Sequence, residues 1–124
     1  DPMGADIGGC CLSLSMRDYA RFGLLALEGG RGVAGKGWFA RAAMAHTEIG
    51  PGFGYGYQWW TYPAGLWGAQ GIFGQAITVA PRQHAVIVQL ANWPRASDPA
   101  LRGAMIAFHG RIAAVLGEGP ASGD

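Results

Sequence analysis

The serines of this 124-residue sequence lack the neighbours that a serine nucleophile needs. A serine hydroxyl is a weak nucleophile until an adjacent base activates it. None of the four serines is followed by a lysine three positions on, and Lys36 is the only lysine. The G-x-S-x-G and H-E-x-x-H patterns are also missing from the sequence. Residues 1–124 therefore do not contain a complete set of residues for nucleophilic catalysis.

The three histidines are isolated from one another, and each has a structural interpretation. His84 falls in a predicted hairpin turn and His109 near the polar edge of the last predicted helix, so we expect both to be solvated. His46 ends a predicted helix, where the helix dipole favours an imidazolium. Ser13 and Ser15 are explained as loop and capping residues. The carboxylates are too widely spread to indicate the acid/base pair of a glycosidase.

The segment 69–81, AQGIFGQAITVAP, has the composition of a strand but contains two glycines. Gly71 and Gly74 bracket Ile72 and Phe73. Glycine weakens a strand interior, so such a pair usually marks a bulge or a place where another group approaches the backbone closely. The pattern predicts that something approaches the main chain here.

Six aromatic residues are concentrated in and just after another predicted strand. They are Tyr55, Tyr57, Trp59, Trp60, Tyr62 and Trp67. Side chains alternate between the faces of a strand, which would place the first three on one face and Trp60 and Tyr62 on the other. We expect at least half of the six to lie in the core. The remainder, Trp59 and Trp60 among them, could line a pocket for an apolar substrate.

The elements that would position these residues follow from periodicity and capping. A Ser15–Asp18 cap, helically spaced apolar residues and a glycine pair predict a helix over 16–28. The segment 37–46 fits a second, short helix, and the EIGPGFG stretch after it is expected to break regular structure. Strands are predicted over 55–62, about 70–80 and 85–93, the last two forming an antiparallel hairpin.

A last helix is predicted between Asp98 and Gly117. Asp98 offers an N-cap, and Pro99 suits the first helical position. Its apolar stripe consists of Leu101, Met105, Phe108, Ile112, Val115 and Leu116. The fold class is therefore α+β, an antiparallel sheet with a helix on one face. Nothing obvious pairs the outer strands or covers the second face, so we expect residues 1–124 to form a single, partial domain.

Composition excludes several function classes. The net charge is +1, and the nine basic residues, eight of them arginine, are scattered, which argues against nucleic acid as a partner. No apolar run approaches the roughly 18–20 residues of a membrane span. Cys10 and Cys11 are adjacent and are expected to pack as small apolar residues rather than to form a disulfide or metal site. No cofactor or metal is predicted.

Four segments together resemble a known superfamily. They are GGCCLSLSMRDYARFGLLALEGG, GYGYQWW, GIFGQAITVAP and AVIVQLANW. This combination resembles the C-terminal part of the serine β-lactamase-like hydrolases, which include class C β-lactamases, DD-peptidases, family VIII carboxylesterases and 6-aminohexanoate-dimer hydrolases. The pairing of QWW with GIFGQ is most similar to the last group. The resemblance implies the C-terminal portion of the β-lactamase/transpeptidase-like fold.

The resemblance also implies roles for individual residues. In the superfamily, a serine and a lysine come from an S-x-x-K motif, a tyrosine from a Y-x-N or related motif, and a third motif lies on a sheet strand. The third motif, K-T-G or H-x-G, aligns with Ala69-Gln70-Gly71. By this alignment Ile72 donates its backbone N–H to the oxyanion hole, and Gly71 lets the acyl carbonyl approach. Only this third motif occurs in the chain.

The sequence departs from the superfamily at Ala69, which replaces the lysine or histidine of the third motif. The resemblance then favours linear amides or esters over penicillins, because the cation that meets a substrate carboxylate is missing. Gln70 and Gln75 could contact substrate through their amides, although satisfied amides at the sheet edge are an alternative. Phe73, Trp59 and Trp60 are further candidates for substrate contact.

Three interpretations remain open at this stage. The first is a portion of a serine hydrolase, inactive alone, whose nucleophile lies in an N-terminal part of the same protein. The second is a non-catalytic binding module with an aromatic platform for sugars or peptides, and the third is an inactive relative that serves as an interaction domain. Exposed sheet edges make self-association plausible. The expected compartment is the bacterial cytoplasm, with the periplasm as the alternative.

Overall fold

The computed structural model describes residues 3–4 and 12–118, so the prediction for Cys10 and Cys11 lies outside the described residues. Helix α1 spans Met16–Leu27, in agreement with the predicted helix. Ser15 caps it, because its Oγ accepts a hydrogen bond from the Asp18 N–H at 3.2 Å. The helix ends where the Gly30 N–H donates to the Leu25 carbonyl. Local sequence signals therefore account for both ends of α1.

Helix α2 spans only Trp38–Ala42, so the prediction of a helix to residue 46 was wrong at its end. The Ala42 carbonyl accepts a hydrogen bond from the Tyr57 N–H at 3.0 Å. Gly56 makes this approach possible, since a β-carbon there would overlap the same carbonyl. A contact with a distant turn thus ends the helix early.

Within residues 12–118, the sheet has six antiparallel strands arranged in chain order. They are β1 (Thr47–Gly50), β2 (Phe53–Tyr55), β3 (Trp60–Thr61), β4 (Trp67–Gln70), β5 (Ala76–Ala80) and β6 (Ala85–Gln89). The predicted hairpin around residues 81–84 is confirmed as β5–β6, but its second strand ends at Gln89 rather than at 93. His84 is exposed in its turn. The α+β class, with an antiparallel sheet flanked by helices, is also confirmed.

Three strand predictions were wrong. The EIGPGFG stretch, expected to be irregular, forms β1 and β2 with a bulge between Glu48 and Gly50. The segment 55–62 is not one strand, because a tight turn in which Gln58 has a φ of 65° separates β2 from β3. The segment 70–80 is also divided, since a turn at 71–74 separates β4 from β5. In most of these cases a turn was missed because the strands on either side of it are only two to five residues long.

Helices cover both faces of the sheet, contrary to the expectation of an open second face. On one face α1 approaches so closely at Gly23 that a β-carbon there would lie 2.5 Å from Val86 Cγ1. Its core comprises Ala26, Phe39, Ala42, Trp59, Trp67, Ile77 and Val79. The core of the opposite face comprises Tyr62, Leu66, Ala80 and Ala113. Ala113 belongs to helix α3 (Pro99–Gly117), which lies on this second face.

The cap of α3 is confirmed, but the predicted apolar stripe is buried only at Met105 and half-buried at Ile112. Asp98 Oδ1 accepts hydrogen bonds from the N–H groups of Ala100 and Leu101 at 3.0 and 3.1 Å. The buried residues of α3 are Met105, His109 and Ala113. The exposed residues include four of the predicted stripe, namely Leu101, Phe108, Val115 and Leu116. Helical spacing allowed either face, and contact with the sheet selected the face that carries Met105, His109 and Ala113.

His109 was predicted to be solvated, and this was wrong. Its residue is 2% exposed, and its Nδ1 is hydrogen-bonded to the buried hydroxyl of Thr78 at 2.9 Å. A buried hydroxyl needs a polar partner, which explains a histidine on this face. Burial lowers the pKa of His109 below its usual value, so the ring is held neutral.

Candidate functional site

The turn at 71–74, here called the hairpin tip, joins β4 to β5. The Gly74 N–H donates to the Gly71 carbonyl at 3.2 Å, and the Gly71 N–H donates to the Gln75 carbonyl at 2.7 Å. Gly74 has a φ of +91°, in the region that favours glycine. This is the pattern of a three-residue hairpin loop in which a turn is followed by a left-handed residue.

Neighbours in this chain explain the two glycines of the tip. A β-carbon on Gly74 would overlap the indole ring of Trp93, with Cδ2 only 2.7 Å away. A β-carbon on Gly71 would lie 2.5 Å from Oε1 of Gln75 and 3.2 Å from its Cβ. The predicted close approach to the backbone is therefore present, and two side chains of the chain itself make it.

Three successive carbonyl groups of the tip accept hydrogen bonds from segment 89–97. The Ser97 N–H donates to the Ile72 carbonyl at 2.6 Å, and the Trp93 N–H donates to the Phe73 carbonyl at 3.0 Å. Gln89 Nε2 donates to the Gly74 carbonyl at 3.1 Å. The tip is thus held by a segment that is distant from it in sequence. This role was not predicted for any of the three donors. Only the AVIVQLANW pattern drew attention to Gln89 and Trp93, and no signal identified Ser97.

The N–H groups of the tip are used unequally. Those of Gly71 and Gly74 bond within the hairpin, and that of Phe73 donates to Gln75 Oε1 at 3.3 Å. The Ile72 N–H has no acceptor among residues 3–4 and 12–118. Ile72 is also 58% exposed. Within the described residues, the Ile72 N–H is therefore the one backbone donor of the tip without an acceptor, and it lies on a loop held by segment 89–97.

The predicted site residues fall into three places. Ile72, Gly71, Phe73 and Gln75 come together at the tip, where the Phe73 side chain is exposed. Gln70, at the end of β4, lies on the α3 face, and its Nε2 donates to the hydroxyl oxygen of Tyr62 at 2.7 Å. Burial, only partly offset by this bond, raises the pKa of Tyr62 to about 12, so the phenol stays protonated. Because its Nε2 donates to Tyr62, the amide of Gln70 is already engaged within the fold.

The two tryptophans predicted to contact substrate lie on opposite faces of the sheet. Trp59 is 7% exposed and packs in the α1-side core, with its ring centroid 4.8 Å from that of Trp67. Trp60 lies on the α3 face beside Tyr55, with the Arg102 guanidinium 5.9 Å from its ring centroid. The prediction that Tyr55 and Trp59 share a face was wrong, because the turn between β2 and β3 reverses the chain. Trp59 is a core residue, so it cannot serve an exposed aromatic platform.

Among residues 12–118, the other titratable side chains do not form a second site. His46 is exposed, stacks on Tyr57 at a centroid distance of 4.1 Å and donates from Nε2 to the Arg41 carbonyl at 3.0 Å. In the part of the chain that the structure describes, no three His, Cys, Asp or Glu side chains cluster as metal ligands would. None of the helices within residues 12–118 has both the length and the apolar composition needed to cross a bilayer.

Comparison with known proteins identifies the class to which this fold and tip belong. The family model described as Beta-lactamase matches residues 2–110, so the chain belongs to the β-lactamase family and is a serine hydrolase-like domain. The chain is similar to the 6-aminohexanoate-dimer hydrolase of Paenarthrobacter ureafaciens, at 35% identity over 107 residues. That alignment covers 73% of this chain and 26% of the relative, so the chain spans about a quarter of the relative's length. Both findings confirm the resemblance drawn from the sequence segments.

Proposed function

We propose that this chain supplies the oxyanion-hole hairpin of a serine hydrolase that cleaves linear amides or esters through an acyl-enzyme. The observation that carries the proposal is the Ile72 N–H, which lacks an acceptor among the described residues and lies on a tip held by segment 89–97. Membership of the β-lactamase family supports hydrolysis as the reaction, as does the similarity to a 6-aminohexanoate-dimer hydrolase.

The proposed nucleophile belongs to an S-x-x-K motif outside residues 1–124, because none of the four serines in the chain has a lysine three positions on. The serine oxygen attacks the substrate carbonyl carbon while a neighbouring base of the active site takes the serine proton. The carbonyl oxygen becomes negatively charged. Ile72 and the nucleophile each donate a backbone N–H to that oxygen. The tetrahedral intermediate then expels an amine or alcohol, which takes up the proton, and water hydrolyses the acyl-enzyme. One such donor lowers the barrier by about 3 to 4 kcal/mol.

The proposed substrate class follows from Ala69 and the tip. Ala69 pairs with Ile77, and its methyl group packs against the α1-side core. Position 69 therefore has no cation that could meet a substrate carboxylate. The exposed side chains of Ile72 and Phe73 provide apolar surface beside the donor. These features support linear amides or esters, and they do not support penicillin recognition through a third-motif cation.

Labelling with a fluorophosphonate tests where the nucleophile lies. The 124-residue chain and a longer version that includes the upstream coding sequence would be compared on p-nitrophenyl butyrate and nitrocefin. We expect the longer protein to be labelled on an S-x-x-K serine and to hydrolyse the ester, with its Ser→Ala variant as the inactive control. We expect the 124-residue chain to do neither. Hydrolysis by the short chain above a heat-treated control, or no labelling of the longer protein, would refute the proposal.

A further inference from the structure

We propose that Gln75 is a positioning residue that leaves Ile72 as the single donor of the hairpin tip. This inference rests on the proposed function, since it explains how the tip presents one N–H to an oxyanion. Gln75 was predicted to be a candidate for substrate contact, but in the structure its amide oxygen accepts a hydrogen bond from the Phe73 N–H of the tip. The side chain is half-buried and already holds the Phe73 N–H.

The position of the Gln75 side chain depends on the glycine at 71. Oε1, Cβ and Cδ of Gln75 occupy the space where a β-carbon of residue 71 would lie, at distances of 2.5, 3.2 and 3.2 Å. Glycine at this position therefore lets the amide lie across the turn and reach the Phe73 N–H. The two residues act as one device, in which the missing side chain of Gly71 makes room for that of Gln75.

Gln75 has two effects on an incoming anion. By accepting the Phe73 N–H, it removes the donor next to Ile72 that could otherwise bind the oxygen in a second orientation. The Gln75 amide oxygen can only accept hydrogen bonds. An oxyanion placed beside Phe73 would therefore face another acceptor and find no donor. Together these effects direct a negatively charged oxygen to the Ile72 N–H. The device also requires a neutral amide, because a carboxylate here would repel the developing charge.

Amide hydrogen exchange of the full 124-residue chain, followed by NMR, tests this assignment without any need for activity. We expect the Ile72 amide to exchange near its intrinsic rate and the Phe73 amide to be slower. Gln75→Met keeps the volume but removes the acceptor, and it should speed exchange at Phe73 about three- to tenfold, as expected for one hydrogen bond. Gln75→Glu should restore the protection. Gln83→Met, at the opposite end of β5, is the matched control and should change neither amide.

A double-mutant cycle tests the dependence on Gly71. Gly71→Ala should displace the Gln75 side chain and expose the Phe73 amide as Gln75→Met does. In a Gln75→Ala background the added methyl group meets no amide, so the exchange rates should not change further. Protection of Phe73 that survives Gln75→Met, or additive effects of Gly71→Ala and Gln75→Ala on exchange at Phe73, would overturn the assignment.

Activity of the longer hydrolase separates this inference from the proposed function. Gln75→Glu should slow hydrolysis by about tenfold or more, through repulsion of the oxyanion, while keeping the Phe73 protection. Hydrolysis by Gln75→Glu at the wild-type rate would contradict the need for a neutral amide. If Ile72→Pro leaves activity unchanged while the exchange pattern holds, the proposed function fails and Gln75 still holds the tip. If Ile72→Pro abolishes activity while Phe73 is unprotected, the proposed function stands and the role of Gln75 is refuted.

Discussion

Replacing Gly74 by alanine tests the geometry of the hairpin tip most severely. The substitution places a β-carbon on a residue with a φ of +91° and drives that carbon into the Trp93 indole. Gly65 is a matched control, because it has a φ of +75° but nothing within 4 Å of the added carbon. The two variants therefore share the backbone strain and differ in the contact with Trp93.

The magnitudes follow from these two terms. A non-glycine residue in the left-handed region costs about 1 to 2 kcal/mol, which is the expected loss for Gly65→Ala. Overpacking against a half-buried ring adds about 1 to 3 kcal/mol, so Gly74→Ala should lose about 2 to 5 kcal/mol. In a Trp93→Ala background the second term disappears, and the cost of Gly74→Ala should fall to about that of Gly65→Ala.

Urea unfolding followed by circular dichroism measures these differences, since the free energy of unfolding falls linearly with denaturant. We expect a coupling of about 1 to 3 kcal/mol between Gly74→Ala and Trp93→Ala. Equal losses for Gly74→Ala and Gly65→Ala, or additivity of the first with Trp93→Ala, would show that Trp93 does not lie over the tip.

Two further predictions concern the packing of the helices on the sheet. Because burial lowers the pKa of His109, the unfolded chain binds more protons, so stability should be fully present above the usual pKa of about 6.5 and fall as the pH drops below it. Urea titrations between about pH 7 and 5 test this, and an unchanged pH slope in His109→Gln would contradict it. Gly23→Ala should lose about 1 to 3 kcal/mol, because the new β-carbon would lie 2.5 and 2.9 Å from Val86 and Ile77. Gly110→Ala, with open space in α3, should instead gain up to about 1 kcal/mol, and equal effects of the two substitutions would contradict the close packing of α1.

The parts of the fold that could be predicted from sequence are those specified locally. The Ser15 and Asp98 caps and the stop after Leu27 depend on residues within a few positions of each other, and α1 and α3 were located correctly. The β5–β6 hairpin follows from two β-branched runs around a short turn. The early end of α2 could not be predicted, because it depends on Tyr57, fifteen positions beyond Ala42. The buried face of α3 likewise depends on Thr78 in the sheet.

The candidate site was predictable in its location but not in its construction. Two glycines around Ile72 and Phe73 signalled a special backbone, and the superfamily resemblance directed attention to the Ile72 N–H. The glycine at position 74 was a local signal for a turn, but the apolar residues around it favoured a strand. The backbone hydrogen bonds that hold the tip come from Trp93 and Ser97, and these residues lie near the tip only because of the tertiary fold.

Ile72→Pro in the longer hydrolase is the most direct test of the central claim, that the Ile72 N–H stabilises an oxyanion. Residue 72 is the second residue of the turn, where proline's fixed φ is favoured, so the substitution removes the N–H and leaves the turn intact. We predict that kcat on a linear ester falls about 10²- to 10³-fold while the urea midpoint changes little. Ile72→Val keeps the N–H and should stay within about threefold of wild type. A stable Ile72→Pro enzyme with wild-type kcat would contradict a role of the Ile72 N–H in stabilising the oxyanion.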